Sequence, residues 1–95
     1  MYDLECRFDS RQSFYGKAVV EIEEDVIAYN ELLHSYGTLV AIYTKDKKTN
    51  LKQFTYLGKF SQTTTRHQKE FFKQHGLSDK EIKELFKNGT LEREY

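Results

Sequence analysis

The sequence predicts a single α+β domain over residues 1–95, with an antiparallel sheet of four or five strands and two C-terminal helices packed on one face. Apolar and polar residues alternate in several segments of the first 57 residues, a spacing typical of half-buried strands. The apolar spacing becomes helical in the last third of the chain. Seven Phe and seven Tyr can build a small core from large rings. Together these observations favour strands followed by helices.

The first strand signal lies in residues 14–23. Ala18, Val20 and Ile22 occupy alternate positions there, so we expect them on one face of the strand. The other face is expected to carry Lys17, Val19, Glu21 and Glu23. The short run at residues 4–8 could pair with this strand and add a further one.

The segment 26–36 fits both a helical and a strand spacing. We favour a strand at residues 31–36, because Gly37 can then end it before the β-rich run at residues 38–44. The run at residues 51–57 follows a polar turn and pairs back as a hairpin.

The last third of the chain is predicted to contain two helices. The first spans residues 61–76, with Ser and Thr at its start and Gly76 as its stop. The second begins at a capping box, in which Ser78 accepts from the backbone of Glu81 and the Glu81 side chain reaches back. The second helix carries an apolar stripe of Ile82, Leu85 and Phe86 and a polar outer face of Lys80, Lys83, Glu84 and Lys87.

Charge is distributed unevenly along a chain whose formal net charge is zero. Residues 1–44 carry 3 basic and 8 acidic side chains, whereas residues 45–95 carry 12 basic and 7 acidic ones. Opposite net charges in the two halves of the chain predict one of two arrangements. Either the folded protein has a dipolar surface that orients a partner, or the acidic residues of the first half pair with the basic residues of the second. The alternative is an ordinary solvated surface with mixed charges. The residues expected at a partner interface are Glu21, Glu23, Glu24 and Asp25 on the acidic edge and Lys45, Lys47 and Lys48 in the turn at residues 45–50.

Enzymatic chemistry is poorly supported by the residue pattern. Cys6 is the only cysteine, no Ser stands in a nucleophile elbow, and no Gly-rich loop opens a helix. A lone cysteine indicates a chain without disulfides in a reducing compartment, which predicts a cytoplasmic location. The apolar runs are shorter than a membrane span requires. We therefore predict no catalytic residues and no membrane association.

One pair of residues has the spacing of metal ligands. His67 and Glu70 are three residues apart and can point the same way on a helix. Zinc takes three or four ligands, and the other candidates, Cys6, His34 and His75, are scattered along the chain. The alternative is that His67 forms a hydrogen bond across the seam between helix and sheet. We expect no cofactor, with zinc at His67 and Glu70 as the competing hypothesis.

Nucleic-acid binding is a further possibility for the basic stretch at residues 45–73, where lysines alternate with aromatic residues. Lysines can neutralise phosphates while exposed rings stack on bases. Phe71 and Phe72 are nevertheless expected in the core, since a domain of this size needs most of its rings inside. Weak binding without sequence preference is the prediction.

Three segments of the chain follow a recognisable pattern. They are residues 8–18, residues 33–42, which contain SYGTLVAI, and residues 60–76, which begin FSQTTTRHQKEFF and are the most specific of the three. Together they resemble a small domain of unknown function that recurs in phages, prophages and mobile elements of low-GC Gram-positive bacteria. The resemblance implies no catalytic residues. It directs attention to Arg66 and His67, which match the threonine-run–Arg–His pattern.

The resemblance and the small size imply a phage or prophage accessory protein that acts by contact in the host cytoplasm. The favoured function is inhibition of a host type II CRISPR effector nuclease, that is, an anti-CRISPR protein, with Arg66 added to the interface. The alternatives are a small nucleic-acid-binding phage protein that uses residues 45–73 and a metal-stabilised interaction module. Exposed rings expected to contribute affinity are Tyr2, Tyr15, Tyr29 and Tyr95.

Overall fold

The computed structural model describes residues 1–10 and 13–93, which form a six-stranded antiparallel sheet and two helices. The strands lie side by side in chain order. The elements are β1 (Tyr2–Asp3), β2 (Ala18–Glu24), β3 (Ala28–Ser35), β4 (Thr38–Asp46), β5 (Lys52–Tyr56), α1 (Gln62–Gln74), α2 (Asp79–Asn88) and β6 (Thr90–Arg93). The α+β class and the antiparallel sheet are confirmed. The predicted number of four or five strands is wrong, because the sheet has six.

The strand that the sequence did not reveal is β6. It follows α2 and pairs with β5, with Leu91 opposite Phe54. Gly89 ends α2 with φ at 84°, a left-handed conformation that suits glycine, and so turns the chain back to the sheet. Four residues are too few for an alternation to stand out against the preceding helix.

The first strand is also displaced from its predicted position. Residues 4–8 were expected to pair with β2, but the pairing residues are Tyr2 and Asp3. Leu4 still donates its N–H to the Ala18 carbonyl at 2.9 Å and is buried, after which the chain leaves the sheet. The strand interpretation of residues 26–36 is confirmed, with β3 starting earlier than predicted, at Ala28.

Aromatic rings join the helices to the sheet. Phe54 of β5 contacts Tyr43 and Phe72, with ring centroids 5.3 and 6.1 Å away. Phe86 of α2 stacks on Tyr56 with centroids 4.2 Å apart. The predicted core position of Phe71 and Phe72 is confirmed, and the capping box that begins α2 is present. No helix within the described ranges is long and apolar enough to cross a membrane.

A buried polar contact fixes the start of α1 on β3. The Ser35 hydroxyl lies 2.8 Å from the Thr64 hydroxyl and 2.7 Å from His67 Nδ1. All three side chains are buried, and the Phe14 ring packs edge-on against the His67 imidazole. The hydrogen bond of His67 across the seam between helix and sheet is therefore confirmed.

We expect Ser35→Ala to lower the free energy of unfolding by about 1–3 kcal/mol, because it removes a buried partner from His67 and Thr64. Urea denaturation followed by circular dichroism measures the change. The matched control is Ser10→Ala, which removes an exposed hydroxyl and should leave stability unaltered. Equal stability of the two variants would contradict the role given to the Ser35 contact.

Candidate functional site

Two turns lie side by side at one end of the sheet. Residues 25–27 join β2 to β3, and residues 47–51 join β4 to β5. The Lys47 N–H donates to the Ile27 carbonyl at 3.0 Å and so connects the two turns. We call residues 24–27 together with residues 45–50 the tip surface.

An aspartate braces each of the two turns. Asp25 Oδ1 accepts the N–H groups of Ile27 and Ala28 at 2.8 and 2.9 Å. Asp46 Oδ1 accepts two N–H groups of its own turn at 2.8 and 3.0 Å. These backbone hydrogen bonds hold the pKa of both carboxyls below the usual aspartate range. Asp25, predicted at a partner interface, thus shapes the turn that carries its neighbours.

The predicted acidic edge and the predicted basic turn meet at the tip surface. Lys47 Nζ lies 2.6 Å from Glu24 Oε2. Glu23 and Lys48 are exposed, and Lys45 is half-buried opposite Tyr29. The structure therefore brings most of the two predicted sets together, but Glu21 lies away from the tip surface, opposite Leu32 and 3.7 Å from His34.

Two large apolar side chains stand outside the core on the tip surface. Val26 is 91% exposed and Ile27 is 68% exposed. Sequence reasoning did not single them out, because residues 26–36 were assigned as a whole to a strand or a helix. The Asp25 turn places these two residues between the end of β2 and the start of β3, outside the paired strands.

A buried carboxylate lies below the tip surface. Glu31 is 7% exposed. Its carboxylate accepts the hydroxyls of Tyr2 and Tyr29 at 3.0 and 2.8 Å and lies 3.0 Å from His75 Nε2. His75 in turn stacks on Tyr43, with centroids 3.9 Å apart. All of these residues except Tyr2 border a cleft of about 420 Å³, which Glu24, Lys45 and Lys47 also line.

The electrostatics of this cluster follow from its hydrogen bonds. Burial alone would raise the pKa of Glu31, but the hydrogen bonds from His75, Tyr29 and Tyr2 outweigh it and hold the pKa below the usual glutamate value. Burial, followed by the Glu31 charge and hydrogen bond, raises the pKa of Tyr2 to about 12. The carboxylate accepts from Tyr2 of β1, from Tyr29 of β3 and from His75, the residue that caps the C-terminus of α1, and so links the three segments next to the tip surface.

The other predicted site residues lie elsewhere and hold the fold. Arg66 lies 3.7 Å from Asp9, beside the start of α1. Glu70 Oε1 accepts the backbone N–H groups of residues 7, 8 and 9 at 3.1, 2.8 and 2.8 Å, while His67 bonds to Ser35. Among residues 1–10 and 13–93, no group of three His, Cys, Asp or Glu side chains is arranged to hold a metal ion. The zinc hypothesis stays a prediction.

The tyrosine rings that were predicted to be exposed differ in their actual exposure. Tyr15 is 76% exposed, and Tyr2 is 42% exposed although its hydroxyl is bonded to Glu31. The expectation for Tyr29 is wrong, since it is half-buried and donates to the same carboxylate. Tyr95 lies outside the described residues. The outer face of α2 is exposed as predicted.

Comparison with known families gives one match. The model of a family of unknown function, DUF8033, matches residues 2–88. No curated protein and no solved structure matches the chain. The matched range runs from β1 to the last residue of α2, so β6 lies beyond it.

We expect Glu31→Gln to lower the free energy of unfolding at neutral pH by about 2 kcal/mol, because the hydrogen bonds to a buried charge are weakened. The pKa of Glu31 is lower in the folded state, so its stabilising contribution is present above the ordinary value of 4.5 and is lost as pH falls through the lowered pKa. The difference between variant and parent should therefore shrink with acidification.

Urea denaturation at several pH values from neutrality to about pH 3 measures this difference. Glu92→Gln, at an exposed glutamate of β6, is the matched control and should leave stability nearly unchanged. A difference between Glu31→Gln and parent that stays constant with pH would contradict the assignment.

Proposed function

This chain belongs to DUF8033, a family of unknown function, and we propose that it acts by binding another protein through the tip surface. The observation that carries the proposal is the exposure of Val26 and Ile27, at 91% and 68%, on a turn braced by Asp25. Apolar side chains on a preformed turn bury area against a partner at a small cost in conformational entropy.

Charges on both sides of this apolar pair support a protein partner. Glu23 and the Glu24–Lys47 ion pair lie beside it, with Lys48 in the adjoining turn. Charged groups around an apolar centre steer encounter and fix orientation more than they add affinity. The tip surface therefore has the arrangement of a small interface, with an apolar centre and a polar rim.

The partner we propose is a host type II CRISPR effector nuclease, which the chain would inhibit in the host cytoplasm as a phage- or prophage-encoded protein. The resemblance of residues 8–18, 33–42 and 60–76 supports this partner. The exposed acidic groups of β2 also support it, since a nuclease channel that holds nucleic acid is positively charged. Inhibition would then come from occupying or covering that channel, and no residue of this chain acts as a catalyst.

The roles of residues 60–76 also favour the tip surface as the binding site. Thr64 and His67 bond to Ser35, and Glu70 binds the N-terminal loop. The most specific part of the resemblance is thus occupied in holding α1 in place. A surface that recognises a partner is better sought among side chains that make no such contacts.

A second candidate function, weak binding of nucleic acid, is favoured by one observation. Lys45, Lys52 and Arg93 lie directly opposite one another across β4, β5 and β6. Burial, followed by the charges of Lys45 and Arg93, lowers the pKa of Lys52. Like charges placed opposite one another destabilise a sheet, and a bound phosphate would offset that repulsion.

We expect the double variant Val26→Ser with Ile27→Ser to weaken binding to the nuclease by about 10-fold or more, because it removes the apolar centre of the interface. Kinetic binding measurements, with and without guide RNA, and an inhibition assay of DNA cleavage are the readouts. Both residues are exposed, so circular dichroism should show an unchanged fold.

The control for this double variant is Leu57→Ser, which removes an exposed apolar side chain after the far end of β5. Leu57→Ser should bind as the parent does. Equal binding by the tip variant and the parent would refute the tip surface as the interface. Absence of binding by the parent protein itself would refute the nuclease as the partner.

For nucleic acid we expect weak binding at physiological salt, with a salt dependence that each of Lys45→Gln and Lys52→Gln reduces by about 0.7 in slope on single-stranded DNA. Fluorescence anisotropy with single-stranded DNA at several salt concentrations measures it. Lys80→Gln, on the outer face of α2, is the control and should keep the parent slope. Tight, sequence-selective binding that survives physiological salt would instead make nucleic acid the main ligand.

A further inference from the structure

The outer edge of β2 is only partly covered. Tyr2 lies opposite Val20 and Asp3 opposite Val19, and β1 pairs with no further residue of β2. Residues 21–24 continue the strand past the end of this pairing. Within the described residues, this stretch of β2 is therefore an open sheet edge.

The hydrogen-bond pattern shows which backbone groups face outward there. Asp25 donates to the Ala28 carbonyl across the β2–β3 turn, so the odd-numbered residues of β2 bond to β3. The N–H and C=O groups of the even-numbered residues point the other way, as the bond from Leu4 to the Ala18 carbonyl confirms. Ile22 and Glu24 thus direct their backbone donors and acceptors out of the sheet.

We propose that this open edge of β2 receives an extended, basic segment of the partner as an added antiparallel strand. The inference rests on the proposed function, since it states how the bound protein is held. Main-chain hydrogen bonds to an exposed edge give affinity, and alternate side chains give specificity. The exposed Val26 and Ile27 lie just beyond the edge and extend the contact in the same direction.

The side chains of β2 define the sequence that fits. Glu21 and Glu23 lie on the face of the sheet opposite Ile22, which is 41% exposed. Residues opposite one another on adjacent strands share a face, so Lys or Arg would stand opposite each glutamate and an apolar residue opposite Ile22. The preferred segment therefore alternates basic and apolar residues.

A second copy of this chain does not fit the same edge. Antiparallel pairing of two β2 edges, centred on Ile22, would bring Glu21 of one copy opposite Glu23 of the other, and Glu23 opposite Glu21. Like charges directly opposite destabilise a strand pair, and charged edges are a common protection against self-association. The charge that excludes the chain's own copies is the charge that favours a basic partner.

The test uses a fluorescent peptide of about ten residues that alternates lysine and valine. Fluorescence anisotropy measures its affinity for the full chain. Two further peptides carry N-methyl groups, either on the valines or on the lysines. Because the residue opposite Ile22 exchanges both hydrogen bonds with it, the valine N–H groups face β2. We expect methylation of valine to weaken binding by about 10-fold or more and methylation of lysine to change it little.

A protein variant gives an independent arm of the same test. Ile22→Pro removes an N–H that points out of the sheet and leaves the bonds between β2 and β3 in place, as proline is tolerated on strand edges. We expect it to weaken peptide binding by about 10-fold, whereas Ile22→Thr retains the N–H and should lose at most about 3-fold. If circular dichroism shows that Ile22→Pro does not fold, the N-methylated peptides still decide.

Equal affinity of the two methylated peptides would overturn strand addition, because binding would then be explained by charge attraction only. If the parent protein forms a dimer that Ile22→Pro abolishes, the edge of β2 binds a second copy of this chain, and the proposed basic partner segment is wrong. The tip variants of Val26 and Ile27 separate this inference from the proposed function. Suppose that the tip variants weaken nuclease binding but the two methylated peptides bind equally well and Ile22→Pro does not weaken peptide binding. The tip surface is then the interface, and the added strand is wrong. If the tip variants also leave nuclease binding unchanged, both proposals are wrong.

Discussion

The seam between α1 and β3 depends on buried polar side chains, each placed to bond with its partner. His67 bonds to Ser35 near the end of β3, and His75 bonds to Glu31 nearer its start. A buried polar group without a partner is costly, so sliding or turning the helix would break both ends of the seam at once. Apolar packing alone tolerates such shifts far better. These two contacts therefore fix the position of α1 along the sheet.

The contact between Glu31 and His75 lies next to the tip surface, because both residues border the cleft that Glu24, Lys45 and Lys47 also line. His75 and Tyr2 both bond to Glu31, so this carboxylate links β1 to the C-terminal end of α1. Within residues 1–10 and 13–93, the stretch of β2 at residues 21–24 has no strand paired with it on the side of β1. Val26 is exposed on the turn between β2 and β3. The hydrogen bonds of Glu31 hold the part of the sheet next to this turn. A turn that is already held in one conformation loses less conformational entropy when a partner binds.

Local patterns in the sequence predicted the local features of the structure. The capping box at Ser78 and the alternation in β2 depend on residues close in the chain, and both are present. His67 was expected to bond across the helix–sheet seam, because a lone polar residue near an apolar helical face needs a partner. The Glu31 cluster was not predicted, since its partners Tyr2 and His75 are 29 and 44 residues away in the chain. Its formation needs the strand register, which no local pattern contains.

The opposite charges of the two halves of the chain serve the fold only in part. Glu24 pairs with Lys47, Asp9 lies near Arg66 and Glu31 lies against His75, so three acidic residues of the first half are matched by partners from the second. The two pairs that involve sheet residues, Glu24–Lys47 and Glu31–His75, lie at the tip surface and on the helix-covered face. Glu21 and Glu23 alternate with Ile22 and Glu24 along β2 and therefore face the other side of the sheet. On that side, Glu21 Oε2 lies 3.7 Å from His34 Nε2. The pairing of halves thus neutralises one face of β2 and leaves acidic groups on the other, beside the open edge.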